Sequence, residues 1–111
     1  KQGKYKLGSL DLHGSKDVVE LVEKTASAIG YSGLAYANEH VKLVPVSVEG
    51  KPAVMPSVET AVDGTYPIAR PLMMYTNGEP TGPIKAYMDW ILSPKGQAII
   101  MKKGYAPVSN H

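Results

Sequence analysis

The chain has 111 residues, 43% of them hydrophobic and 20% charged, with a formal net charge of +2. This is globular composition and excludes the disordered and membrane-embedded classes. Cysteine is absent, which rules out thiolate metal ligands, thiol nucleophiles and disulfides. The lysines are scattered and Arg70 is the sole arginine, so nucleic-acid binding is not expected. The longest apolar runs span only a few residues, too short for a transmembrane helix. The basic opening Lys1-Gln2-Gly3-Lys4-Tyr5-Lys6 leads into no apolar stretch of the kind a signal peptide needs.

In chain order, Tyr5 to Leu12 alternates loosely and ends at Gly14, which predicts an extended entry segment. Ser15 then stands as a helix N-cap before Lys16 to Lys24, with Val18, Val19 and Val22 at helical spacing, Asp17 in the first turn and Lys24 in the last. Ala28 to Leu34 is short, apolar and interrupted by Gly30 and Gly33, the pattern of a buried strand that another group approaches closely. Val41 to Val48 alternates, and Pro45 places it toward a sheet edge. Ser57 to Asp63 predicts a short helix closed by Gly64. Arg70 to Thr76 is an apolar run that stops at the turn dipeptide Asn77-Gly78. Pro83 opens a helix with Ile84, Tyr87, Met88, Ile91 and Leu92 as its apolar stripe, and Ser93-Pro94 opens another that Gly104 ends. Tyr105 to Val108 is a last extended piece. Alternation of strands and helices in this order predicts an α/β fold.

Four blocks occur in a recognisable order and spacing: Ala28-Ile29-Gly30-Tyr31-Ser32-Gly33-Leu34, Gly64-Thr65-Tyr66-Pro67-Ile68-Ala69-Arg70-Pro71-Leu72, Leu92-Ser93-Pro94-Lys95-Gly96-Gln97 and Gly104-Tyr105-Ala106-Pro107-Val108. Together they make the chain, from about Ser9 to Val108, resemble the C-terminal part of phosphate-binding proteins of the type II periplasmic binding fold. The resemblance implies two α/β lobes, each a three-layer αβα sandwich, with phosphate held in the cleft between them. It implies that residues 1–65 belong to the second lobe, and that residues 66–111 carry the returning hinge strand and the C-terminal helices of the first. The family is longer than this chain, so the fold would be incomplete here. Its principal phosphate ligands lie in an early serine/threonine-rich loop and in an arginine followed by Ser-Gly-Thr, and neither motif occurs in this sequence.

Among local sites, the helix start at Gly14 and Ser15 is the candidate for anion binding, because unpaired N–H groups and the positive dipole end attract an oxyanion. The bland reading is that Ser15 merely caps the helix while Asp17 already supplies negative charge. Tyr31 is read as a core tyrosine with one satisfied hydrogen bond. Asp11 and His13 share a face if extended, but no third ligand has a metal-site spacing, and His40 and His111 fall in a loop and a tail. Arg70 is expected to tie loop carbonyls or a carboxylate across the lobes. Asp89 and Trp90 mark a polar edge and a packed face, and Met73, Met74, Met88 and Met101 are read as core fillers. No nucleophile elbow, P-loop, metalloprotease or dinucleotide motif is present; Gly30-Tyr31-Ser32-Gly33 has its first glycine one position too close.

The reading that follows is a non-enzymatic solute receptor. It is the phosphate-binding component of a bacterial phosphate ABC transporter, periplasmic or extracellular and membrane-associated, needing no cofactor and partnered by an ABC permease. Two alternatives stand beside it: a receptor for sulfate, molybdate or tungstate, and a noncatalytic module docking to a permease or sensor. Unpaired strand edges and apolar faces lead to the further expectation of a homo-oligomer.

Overall fold

A computed structural model describes residues 3–108. The chain divides into two units, residues 1–41 and 42–111.

In the first unit, α1 runs over Ser15–Lys24. Asp17 and Lys24 complement its dipole, and Lys16 pairs with Glu20 one turn on at 3.8 Å. The valine stripe gives this helix an inner face. Val19 is buried at 8% exposure, and the segment after the helix folds back along Val18 and Val22. Gly30 makes that approach possible, since a Cβ there would stand 2.8 Å from Val18 Cγ1 and 3.2 Å from Val22 Cγ2. The returning segment then enters a 3₁₀ turn at Leu34–Tyr36.

In the second unit, Val46 and Val54 form an antiparallel pair, exchanging hydrogen bonds of 2.9 and 2.8 Å. Between them the chain turns with Lys51 N–H donating to the Val48 carbonyl. The short helix α2, Val58–Val62, is held by a capping box. Thr60 N–H donates to Ser57 Oγ at 3.1 Å, and Ser57 N–H donates to Thr60 Oγ1 at 2.9 Å. Gly64 leaves the helix at φ +77°. Helices α3, Gly82–Leu92, and α4, Pro94–Lys102, meet with Ser93 as both the C-cap of one and the N-cap of the other. Helix α4 ends in a Schellman motif: Gly104, at φ +85°, donates its N–H to the Met101 carbonyl, and Tyr105 donates to Ile100.

Where the sequence predicts a sheet, the structure differs. Among the described residues the Val46–Val54 bridge is the sole β pairing. The segments 5–12, 28–34, 70–76 and 105–108 carry no ladder. The physical reason is that a strand is stable only against a partner. Pro45, Pro71 and Pro107 further remove N–H donors from the expected edges.

Burial follows the same pattern. Val19 is the one buried hydrophobic residue among those described, and Leu7, Ile29, Leu72 and Tyr75 are strongly exposed. The accessible surface is 9859 Å². Even two separately folded bodies of these sizes would expose only about 7,000 Å² in total. The methionines expected as core fillers are on the surface at Met73, Met74 and Met101, with Met88 partly covered, and Trp90 is exposed on α3. These are apolar side chains of helices and extended segments that no other described residue covers.

Candidate functional site

The start of α1 has a different cap from the one expected of Ser15. Gly14 is the N-cap, with extended backbone, and no side chain caps the helix. Ser15 is the first helical residue, and its Oγ accepts the Gly33 N–H at 2.9 Å. This corrects the N-cap assignment. A hydroxyl one position further along cannot reach the N–H groups that a capping serine reaches, so it fastens the returning segment instead. A serine hydroxyl has one proton as well as its lone pairs. Accepting from Gly33 leaves the hydroxyl its donor role.

Gly14 is exposed and has open space around its Cα, so an oxyanion can approach the backbone closely. The first-turn N–H groups and the dipole favour negative charge, while the Asp17 carboxylate in the same turn opposes it. On the flank of α1, a shallow depression is lined by Leu12, Asp17, Glu20, Leu21 and Lys24. Its mixed charges select no anion.

The other candidates separate. Tyr31 is 71% exposed, not a core tyrosine; its ring stacks on that of Tyr5 with centroids 6.2 Å apart, and their hydroxyls hydrogen-bond at 2.7 Å. Asp11 and His13 are exposed, and among the described residues no group of three or more His, Cys, Asp or Glu gathers as a metal site. His40 pairs with neighbouring Glu39 at 3.8 Å, and His111 lies outside the described residues. Arg70 is exposed, and among the described residues it bridges to no carboxylate. Asp89 accepts from Lys85 at 2.7 Å along the outer face of α3.

At two places the structure adds contacts beyond the roles read from the sequence. The Leu92-Ser93-Pro94-Lys95-Gly96-Gln97 block is the α3–α4 corner. Ser93 Oγ donates to the Trp90 carbonyl and accepts the Gly96 N–H, and Pro94 occupies the first helical position, where its missing N–H costs nothing. Gly96 is buried, and a Cβ there would press on the Ile91 and Trp90 carbonyl oxygens. Gln97 Nε2 donates to the Ile91 carbonyl at 2.9 Å while its Oε1 accepts the Val108 N–H at 2.7 Å. A glycine in a first helical turn was the available signal. The second place is Asp63. The Thr65 hydroxyl at 2.6 Å and Thr65 N–H at 2.8 Å both donate to its Oδ1 and hold its carboxyl below the usual range.

Comparison with known proteins supplies what the geometry leaves general. The family described as "PBP superfamily domain" matches residues 2–95. A phosphate-binding protein PstS of Pseudomonas aeruginosa is 37% identical over 100 residues, covering 86% of this chain and 31% of that protein. Phosphate-binding protein PstS 2 of Streptococcus agalactiae is 39% identical over 90 residues, covering 80% of this chain and 29% of that protein. The Bacillus subtilis phosphate-binding protein PstS is 33% identical over 97 residues, covering 86% and 31%. The chain thus spans about a third of the length of the curated relatives it matches. No solved structure matches it.

Proposed function

The chain belongs to the PBP superfamily, and we propose that it contributes to the phosphate-binding component of a bacterial phosphate ABC transporter, capturing inorganic phosphate outside the cytoplasm for delivery to a membrane permease. The observation that carries the reading is the match, over most of the chain, to relatives from three bacteria that bear the phosphate-binding name. The process is capture without covalent chemistry. Discrimination rests on hydrogen-bond donors and acceptors matched to a protonated oxyanion.

In this reading the extended segments are strands of αβα layers, paired when the sheet they belong to is complete. Residues 1–65 serve the second lobe and residues 66–111 return to the first. The reversal at Asp63-Gly64-Thr65, with Tyr66 N–H donating back to the Thr60 carbonyl, supports a change of direction near that boundary. Gly14 and Ser15 offer the anion first-turn N–H groups and the Ser15 hydroxyl proton, with Lys16 beside them. The exposed apolar faces support self-association of the 111-residue chain, to be read by light scattering over a dilution series; a monomer throughout refutes it.

The test is a chimera in which this chain replaces the matching segment of the Pseudomonas relative, titrated calorimetrically with phosphate, sulfate and molybdate. Phosphate-selective binding, weakened by Ser15→Ala, is expected. A folded chimera that prefers another oxyanion, or none, refutes the reading. The 111-residue chain alone is expected to bind phosphate weakly, since it has neither the serine/threonine-rich loop nor the Arg-Ser-Gly-Thr motif. Saturation at micromolar phosphate would place the main ligands within these residues.

A further inference from the structure

The Tyr5–Tyr31 pair is not used by the proposed function, and we propose that it is an oxidative cross-linking site, closing to an intramolecular dityrosine when a haem peroxidase and hydrogen peroxide supply the oxidant. Three observations converge on it. The rings lie nearly parallel, 13° apart with centroids at 6.2 Å, so the carbons ortho to the two hydroxyls share one neighbourhood. Both side chains are exposed, at 75% and 71%, which lets a peroxidase-generated oxidant reach them. The hydroxyls are joined by a 2.7 Å hydrogen bond. The bond keeps the two oxygens, and so the carbons beside them, close together, while the proton each phenol sheds on losing an electron passes to the surrounding water.

Each phenol gives up one electron and one proton, leaving two phenoxyl radicals. The radicals couple ortho carbon to ortho carbon, and each ring then regains its aromaticity by moving the ortho hydrogen to its oxygen. The two electrons and two protons reduce one hydrogen peroxide to two waters. The new bond would tie Tyr5 to Tyr31 across 26 positions, closing a covalent loop around α1 and fixing the segment that Ser15 and Gly30 already hold against that helix. A disulfide cannot supply such a tie, since the chain has no cysteine.

The experiment treats the dilute full chain with peroxidase and hydrogen peroxide, then reads dityrosine fluorescence, intact mass and the tryptic map. The expected product is a single chain lighter by two hydrogen atoms, with the Tyr5-Lys6 peptide joined to the peptide Thr25–Lys42. That second peptide also contains Tyr36, so Tyr31→Phe and Tyr36→Phe distinguish the partners. The link should fall to background in Tyr31→Phe and in Tyr5→Phe, and persist in Tyr36→Phe. A link that survives Tyr31→Phe, one that forms only between chains, or tyrosine oxidation without this link each overturns the proposal.

Discussion

Replacing Gly96 with alanine sets two well-measured effects against each other. Within a helix, alanine is worth up to about 1 kcal/mol over glycine, and less in a first turn such as that of Gly96, so propensity alone favours Gly96→Ala. The structure reverses the sign. The added methyl would press on the carbonyl oxygens of Ile91 and Trp90 and lie 2.7 Å from the Ile91 carbonyl carbon. These are backbone atoms that cannot rotate aside as a side chain does. Forcing extra volume into a packed site costs about 1–3 kcal/mol or more. The shift also strains the Gln97–Ile91 hydrogen bond and the Ser93 cap, each worth about 1 kcal/mol. The balance is a loss of about 1–3 kcal/mol at the corner, a roughly five- to 150-fold increase in its opening. Amide hydrogen exchange reads that opening directly, and protection of Gln97 and Lys103, whose N–H groups bond within and at the end of α4, should fall by this factor. Equal or slower exchange in Gly96→Ala would mean the helices do not approach as closely as described, and the argument fails.

Gln97→Ala removes the donor to Ile91 and the acceptor of Val108 N–H, so Val108 exchange should approach that of an unprotected amide while α1 is unaffected; unchanged Val108 protection contradicts this. For Asp63, the two Thr65 bonds depress the folded-state pKa below its ordinary value of 3.8, so their contribution is present above that value and lost as pH falls through the folded pKa. In Thr65→Val the hydroxyl bond is gone, and the Asp63 titration followed by NMR should move up toward 3.8; a midpoint that stays put shows that Thr65 Oγ1 is not the cause.

The helices were legible because their signals are local. Ser57 with Thr60, Pro83, Ser93-Pro94, Gly64 and Gly104 each act within a few residues of themselves, and every expected helix is found within a residue or two of its reading. Ser15 shows where that locality ends. Its type and position suit a cap, yet its oxygen is taken by Gly33, 18 residues away, and no short-range pattern announces such a partner. The strands failed for a related reason. Alternation in Tyr5 to Leu12 or apolarity in Pro71 to Tyr75 states which face could be covered but not what covers it, and among the described residues no strand pairs with either. The Tyr5–Tyr31 contact likewise has no sequence signature at that separation. For the proposed anion site, the sequence indicated the helix start and its charges; that Gly33 holds the Ser15 oxygen emerges only from the fold.

The single residue between α3 and α4 also fixes a phase. Each residue of an α-helix turns the chain by about 100°, so one residue inserted beside Ser93 would roll α4 by that angle about its own axis. Gly96 would turn away from the Ile91 and Trp90 carbonyls and a residue with a side chain would turn toward them, while Gln97 would lose reach of both Ile91 and Val108. Substitutions along this stretch are graded by size and chemistry, but a change of length is all or nothing. The corner works as a gear tooth, and its spacing is less free to vary than most of the residues that compose it.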